Sequence, residues 1–303
     1  MKAYRFRIPL TQPLVLKRET YLEREGVLLE RDGRWSEASP LPGFSKESID
    51  DVVAALRCEQ PVPPSLKFAF TALDDPFDSA IEVPWNFLLL GDRQQVLAGV
   101  EQCKQSKCRA AKLKVGGREM HAAISLVREV RELLPEGVQL RLDANQSWAF
   151  QDARRFCRTI REIDLEYIEE PLQDSSRLED LYSRTGVRYA LDETLLQESC
   201  LDAWPNAAAL ICKPTILGGR EAVERLAATE KPIVFSAAFE SGIGIARIVQ
   251  LAAEFSPNIA AGLDTLDWLT SDLLKESPQK NGEMFCASGN PIADAAELES
   301  IDL

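Results

Sequence analysis

Histidine is almost missing: His121 is the only one in 303 residues, and it lies near the start of a predicted helix, where a plain surface role suffices. A serine–histidine–aspartate triad, a cysteine–histidine dyad or a histidine-rich metal site has only that residue to build on. The seven cysteines (Cys58, Cys103, Cys108, Cys157, Cys200, Cys212 and Cys286) are odd in number, scattered and without a CxxC pair. They argue against a disulfide framework or a zinc site and for reduced, structural thiols. Phosphate-cradling loops of the GxGxxG or GxxxxGK[ST] kind are absent. So is any run approaching the roughly 18 apolar residues of a membrane span. The opening MKAYRFRIPLTQPLVLKRET lacks the apolar core and small-residue cleavage site of a signal peptide, so a cytoplasmic location without membrane contact is expected. Positive charge is also short, with 35 Lys and Arg against 48 Asp and Glu, a formal charge of −13. Such a chain repels phosphate backbones and anionic lipid, which disfavours nucleic acid as a partner. What remains, 45% hydrophobic and 27% charged, is ordinary globular composition. Its chemistry must come from carboxylates, lysines or a hard metal ion.

Two regions read differently. Residues 1–90 open with alternating apolar residues Tyr4, Phe6 and Ile8, then two strand-like runs around Asp32-Gly33, a hairpin-turn pair. A loop, SPLPGFS (39–45), leads to helical patterns over 46–58 and 65–73, so this part is expected to be α+β. Residues 91–270 alternate short apolar runs with amphipathic segments. The runs are 111–115, 138–143, 165–170, 189–193, 209–213, 232–236 and 258–264, whose length and β-branched content suit buried parallel strands. Between them Ile124, Val127, Val130 and Leu134 form one helical stripe, Ala153, Phe156, Cys157 and Ile160 a second, and Ile245, Ile248, Val249 and Ala252 a third. The repeat predicts an α/β architecture. Residues 271–303 are the least patterned, with Pro278 to Gly282 expected as a loop.

Polar residues close successive runs at nearly regular intervals: Lys114, Asp143, Glu169, Asp192 and Lys213. In an open sheet distant strand ends do not converge, whereas in a barrel they surround one mouth. Singly, each acid reads as a cap or salt-bridge partner, and Lys112-Leu-Lys114 as an exposed edge strand. The series reads as a site. Converging carboxylates repel one another unless a cation lies among them, and oxygen-only ligation favours Mg²⁺, with Mn²⁺ as a substitute. Lys112 and Lys114 point to one side of their strand. A neighbouring lysine, a metal and partial burial would lower the pKa of Lys114 toward that of a useful base. The pattern predicts metal-assisted removal of a carbon-bound proton beside a carboxylate or carbonyl, with the metal stabilising the enediolate.

These motifs, Lys112-Leu-Lys114, Asp143-Ala-Asn145, Glu169-Glu170-Pro171, Asp192-Glu193 and Lys213-Pro214, resemble in order those of the enolase superfamily in its muconate-lactonizing branch. The resemblance covers roughly residues 1–270. It implies a modified (β/α)7β TIM-type barrel (91–270) under an α+β capping domain made from residues 1–90 and the tail 271–303. Asp143, Glu169 and Asp192 would be the magnesium ligands, with Glu170 second to Glu169. Lys114 would be the base and Lys213 the electrostatic partner on the opposite face, possessing ring-face cation–π reach, with Lys112 and Asn145 supporting. The segments Trp35 to Ser45, Phe235 to Gly242 and Ala261 to Thr265 further resemble branch members that dehydrate 2-succinyl-6-hydroxy-2,4-cyclohexadiene-1-carboxylate to 2-succinylbenzoate, a step toward menaquinone or phylloquinone. Ser236, Gly262 and Ser39 would then touch the substrate, a small-molecule carboxylate. Ser36, Ala237 and Ala238 depart from that pattern, where relatives often carry glycine and serines. The rival readings are an N-acylamino-acid racemase, dipeptide epimerase or cycloisomerase of the same branch, and, from another class, a non-catalytic or Schiff-base barrel. Oligomeric state is not legible.

Overall fold

The computed structural model describes residues 1–303 except 17–18, 58–60, 76, 78, 198–200, 275 and 289–297. Cys58, Cys200 and part of the 271–303 tail therefore lie outside the described residues. The chain begins with three antiparallel strands, β1 (Lys2–Leu16), β2 (Glu19–Arg31) and β3 (Arg34–Ala38). Asp32 and Gly33 both take positive φ, the two-residue turn that matches the twist of a hairpin. Helices α1 (Ile49–Arg57) and α2 (Pro64–Asp74) follow. Val52, Leu66, Ala69 and Leu73 pack on Ala3, Val27 and Leu29 to form a small core of their own.

A short strand, β4 (Ile81–Pro84), precedes the main sheet of parallel strands: β5 (Asn86–Leu89), β6 (Ala110–Lys114), β7 (Gln139–Asp143), β8 (Tyr167–Glu169), β9 (Tyr189–Leu191), β10 (Ala209–Cys212) and β11 (Ile233–Phe235). They neighbour one another in chain order, as in a barrel. Helices α3 (Arg93–Ser106), α4 (Met120–Leu133), α5 (Phe150–Ile160), α6 (Leu178–Thr185), α7 (Pro214–Leu217), α8 (Arg220–Ala227) and α9 (Gly242–Phe255) lie between the strands. Asp92 and Gln95 start α3 with a reciprocal capping box, their backbone and side chains exchanging bonds of 2.9 and 2.8 Å. All three apolar stripes are buried, each fully covered Ile, Val or Phe contributing about 1.5–3 kcal/mol.

The predicted strand over 258–264 is reduced to single-residue pairings. Ala261 bridges to Trp85 beside β5, and Gly262 bridges to Ser236 beyond β11, both in parallel. Hydrogen bonds of 2.7–2.9 Å from Asn86, Ala261, Ala237 and Gly262 join the two sheet edges through this segment. The main sheet therefore closes into the modified barrel, and it starts at Asn86, inside the range expected for the cap. A second difference lies in the tail. Residues expected as a loop form β12 (Gln279–Asn281), which pairs with β13 (Met284–Ala287), and β13 pairs with β4. Phe285 and Ala287 alternate inward there, a period-2 pattern hidden among polar neighbours. The final strand, β14 (Glu299–Ile301), adds to the edge of β1. Among the described residues no helix is long and apolar enough to cross a membrane.

A polar clasp fixes the N-terminal sheet to the barrel. Glu37 of β3 is fully buried at the start of α9, where its carboxylate accepts from the backbone N–H of Ser241 (3.2 Å) and Gly244 (3.1 Å) and from the hydroxyls of Ser39 (2.6 Å) and Ser241. Arg24 of β2 donates to the carbonyls of Ser39 (3.1 Å) and Pro40 (3.0 Å) on one side and Phe239 (3.2 Å) on the other. The two loops so tied, SPLPGFS and 237–239, both reach the mouth of the barrel.

Candidate active site

Side chains at parallel-strand ends converge because neighbouring strands in register aim equivalent positions at one mouth. Lys114, Asp143 and Glu169 stand in register across β6, β7 and β8, with Lys112 one side-chain repeat below Lys114. Asp192 and Lys213 follow β9 and β10 directly. The Lys112 ammonium lies 2.9 Å from Asp143 and 3.0 Å from Glu169, so one nitrogen gathers both acids. Lys114 reaches Asp143 at 2.5 Å and Asn145 at 2.9 Å, and Lys213 pairs with Asp192 across the site. The five residues read from the chain as one site do meet.

Electrostatics follow from this packing. Burial opposes the Asp143 charge, yet Lys112 and Lys114 hold its carboxyl well below the ordinary range. For Glu169, burial together with Asp143 and Asp192 outweighs the two lysines and pushes its carboxyl well up. Burial pulls Lys112 and Lys213 down, but the surrounding carboxylates win and raise both. Glu193, not singled out from the chain, is pushed up to about 7 by burial and by Asp192, and its Oε1 accepts from Asn145 at 3.1 Å.

Glu169 and Glu170 are told apart by their neighbours. Glu170 takes a positive φ and its carboxylate is saturated by the N–H groups of Asp192 and Thr194 (both 2.8 Å), the Thr194 hydroxyl (3.0 Å) and Gln146 (3.0 Å). It stitches the ends of β7, β8 and β9, while Glu169 faces the lysines. Arg141, one repeat below Asp143, is buried against Glu166, Asn86 (3.1 Å) and the Ala260 carbonyl (2.6 Å), and fixes the closing segment.

Above these groups opens a cavity of about 780 Å³, a volume suited to a small organic ligand. Lys112, Lys114, Asn145, Asp192, Glu193, Lys213, Ser236 and Gly262 line it, as do Leu14, Leu41, Phe44 and Phe239 from the covering loops. Phe44 sets its ring centroid 5.8 Å from the Lys213 ammonium. At Gly262 a Cβ would stand 3.0 Å from the Ser236 hydroxyl, so the missing side chain keeps this wall open. Ser39 is not in the lining: it is buried and donates to Glu37. The notable omission of sequence reasoning is Arg118, which lines the same cavity.

The donor set has the chemistry of a divalent-cation site. Four buried acids, Asp143, Glu169, Asp192 and Glu193, face three lysines, Lys112, Lys114 and Lys213, so acidic groups outnumber the basic ones and a dication would favour their charged forms. Glu193 Oε2 is buried without a hydrogen-bond partner among the described residues. A set of oxygen donors alone suits a hard dication. Among the described residues no three acid, His or Cys side chains are gathered closely enough to hold an ion as they stand, because ammonium groups lie between the carboxylates. The chemistry fits; ligation requires the lysines to yield.

Comparison with known proteins agrees with this arrangement. The family model described as "Enolase C-terminal domain-like" matches residues 95–288, and that for the MenC N-terminal domain matches residues 1–61. The chain is 28% identical to o-succinylbenzoate synthase of Haemophilus influenzae over 92% of its length and 93% of the relative's. Among solved structures it resembles o-succinylbenzoate synthase of Thermosynechococcus elongatus, complexed with Mg in its active site, with a TM-score of 0.76, 23% identity and coverage of 91% and 95%. It also resembles the L-Ala-D/L-Glu epimerase of Bacillus subtilis, with a TM-score of 0.77, 19% identity and coverage of 95% and 96%. At these identities the structures speak to the fold alone. The match across residues 95–288, on the barrel that carries the lysines and acids, places the chain in the enolase superfamily.

Proposed function

We propose that this chain is an o-succinylbenzoate synthase, which removes water from 2-succinyl-6-hydroxy-2,4-cyclohexadiene-1-carboxylate to give 2-succinylbenzoate on the route to menaquinone or phylloquinone. The observation that carries this reading is the relatedness over nearly the whole chain to curated synthases, joined to a synthase-type N-terminal match over residues 1–61. The partner is a small-molecule carboxylate. The N-terminal sheet and its two helices, with the final strand Glu299–Ile301 added to that sheet, act as the cap, and the barrel that starts at Asn86 is the catalytic part, in a cytoplasmic enzyme.

Asp143, Glu169 and Asp192 would hold Mg²⁺, with Mn²⁺ a substitute. When bound, the ion supplies charge stabilisation to a carboxylate becoming an enediolate. Lys114 takes the proton from the ring carbon bearing the carboxylate and returns one to the departing hydroxyl on the same face. One C–H and one C–O bond break, the ring becomes aromatic, and water leaves. The contact of Lys114 with Asp143 and Asn145 supports this role, because it aims the amine at one face of the cavity. Lys213, on the other side, stabilises the developing negative charge without moving a proton. Phe44 and the apolar covering loops exclude water from the ring.

A lysine on each face is also the equipment of a racemase, which supports N-succinyl amino acids as alternative substrates. The test is loss of the cyclohexadiene ultraviolet absorbance with wild-type protein. Rapid Mg²⁺-dependent conversion, stopped by EDTA, is expected. A folded, Mg²⁺-loaded protein that leaves this substrate untouched but exchanges the α-proton of N-succinyl amino acids would replace the synthase reading with the racemase one.

A further inference from the structure

The substrate proposed above carries two carboxylates, and the centre built from Lys114, Lys213 and the acids accounts for one. The second, at the end of the succinyl chain, must enter the cavity without losing its counter-charge, since an unpaired buried carboxylate is costly. The cavity wall offers few partners. Of its described acids, Asp192 pairs with Lys213, Asp264 with Lys280 (2.5 Å) and the Leu88 N–H (2.9 Å), and Glu193 accepts from Asn145 through one oxygen. Of the described cations that line it, Lys112, Lys114 and Lys213 belong to the acid cluster, and only Arg118 stands apart.

Arg118 is held by neutral groups. Its Nε donates to the Lys114 carbonyl at 3.0 Å and its Nη2 to the Gly91 carbonyl, so the guanidinium spans the loops after β6 and β5. It forms no ion pair with a described carboxylate, and Nη1 has no acceptor among the described residues. The loop that carries it is forced close to the barrel: a Cβ on Gly116 would stand 2.4 Å from the Ala144 carbonyl. Gly117 takes a φ of +74°, turning the chain back over the strand end. The result is a planar, fixed, charge-uncompensated fork at the wall of a cavity for a dianion, the geometry that guanidinium offers to a carboxylate.

We propose that Arg118 is a specificity-determining residue that receives the substrate's second, succinyl-chain carboxylate through its cavity-facing N–H groups. The proposal rests on the synthase reading and deepens it. It sets a requirement for dicarboxylates of a stated kind, one carboxylate beside the reacting carbon and one at the end of a flexible chain.

The test compares the dicarboxylate substrate with an analogue whose succinyl carboxylate is converted to a primary amide, using wild type, Arg118→Gln and Arg118→Lys. A charge-assisted hydrogen bond of this kind is worth about 10–100-fold in affinity. Arg118→Gln should lower kcat/KM on the dicarboxylate by about that factor, mostly through KM, and wild type should lose the same factor on the amide. The two changes should not add: Arg118→Gln on the amide should match wild type on the amide. Arg118→Lys should recover part of the loss. If Arg118→Gln lowers both substrates equally, Arg118 acts only through the Lys114 carbonyl and the subsite is refuted. If wild type treats acid and amide alike, it is refuted without any variant. Calorimetric binding of 2-succinylbenzoate and its succinyl amide separates the two readings. Arg118-dependent binding by a wild type that dehydrates nothing would overturn the reaction and keep the subsite, whereas failure to bind the dicarboxylate would overturn both.

Discussion

Among the described residues, the buried carboxylates of the clasp and those of the barrel mouth have their charges met by different means. At the clasp between the N-terminal sheet and α9, Glu37 and Glu240 are surrounded by backbone N–H groups and hydroxyls of Ser39, Ser241 and Thr215. At the barrel mouth, Asp143, Glu169 and Asp192 face the long side chains of Lys112, Lys114 and Lys213. Dipoles belonging to a helix terminus cannot move away, so the clasp is suited to holding geometry. Ammonium groups on rotatable stems can exchange one partner for another, so the mouth is suited to admitting an ion and a substrate. Burial of acids alone does not mark a reactive site; what answers the charge does.

That contrast can be broken in several places. The largest expected effect is on proton transfer. Lys114→Ala should cut turnover by at least about 10³-fold while the protein still folds, as read by the ultraviolet assay and circular dichroism. Turnover within tenfold of wild type would remove the lysine from the chemistry. Next comes the clasp, where Glu37→Ala leaves its hydrogen-bond donors without an acceptor and should cost about 3 kcal/mol in urea unfolding. Glu169→Gln should behave in the opposite manner. Burial and neighbouring acids already disfavour the Glu169 charge, so the amide should change metal-free stability by no more than about 1 kcal/mol while abolishing Mg²⁺-dependent turnover. Equal stability losses in the two variants would erase the distinction between clasp and mouth.

Gly262→Ala sharpens the mouth further. Its methyl group would press on Ser236, and KM should rise about tenfold with kcat nearly kept, since the wall and not the base has moved. The smallest effect concerns pH. Burial raises the carboxyl pKa of Glu37 in the fold above its ordinary value of 4.5. The folded state then keeps its proton where the unfolded state has released it, so the Glu37 contribution to stability falls as pH rises from the ordinary value to the raised one, then levels. Glu37→Gln should flatten part of that decline in thermal melts; an unchanged slope would show that the carboxyl is not strained by burial.

Much of this site was legible in the chain because two regular patterns coincide. Strand-then-helix spacing brings Lys114, Asp143, Glu169, Asp192 and Lys213 to one rim, and period-2 alternation turns Lys112 with Lys114 to one side. Contacts made across large separations left no local signal. What sets Glu170 apart from Glu169 is the pair of N–H groups at Asp192 and Thr194 that its carboxylate accepts, over 20 residues away. The clasp joins Glu37 to Ser241, 204 residues apart, and diverts Ser39 from the cavity. Barrel closure rests on isolated pairings at Ala261 and Gly262, too short to read as a strand, and Arg118 reaches the cavity only because of the tight Gly116-Gly117 turn.

On this reading the movable ammonium groups at the mouth, not the fixed clasp, perform the chemistry. This is tested most directly by single-turnover dehydration with excess Mg²⁺, comparing wild type, Lys114→Ala and Glu37→Gln, with substrate binding measured in parallel. Lys114→Ala should bind the substrate but form no 2-succinylbenzoate, while Glu37→Gln should convert it at a rate within tenfold of wild type. Conversion by Lys114→Ala, or its loss in a folded Glu37→Gln that still binds, would contradict that reading.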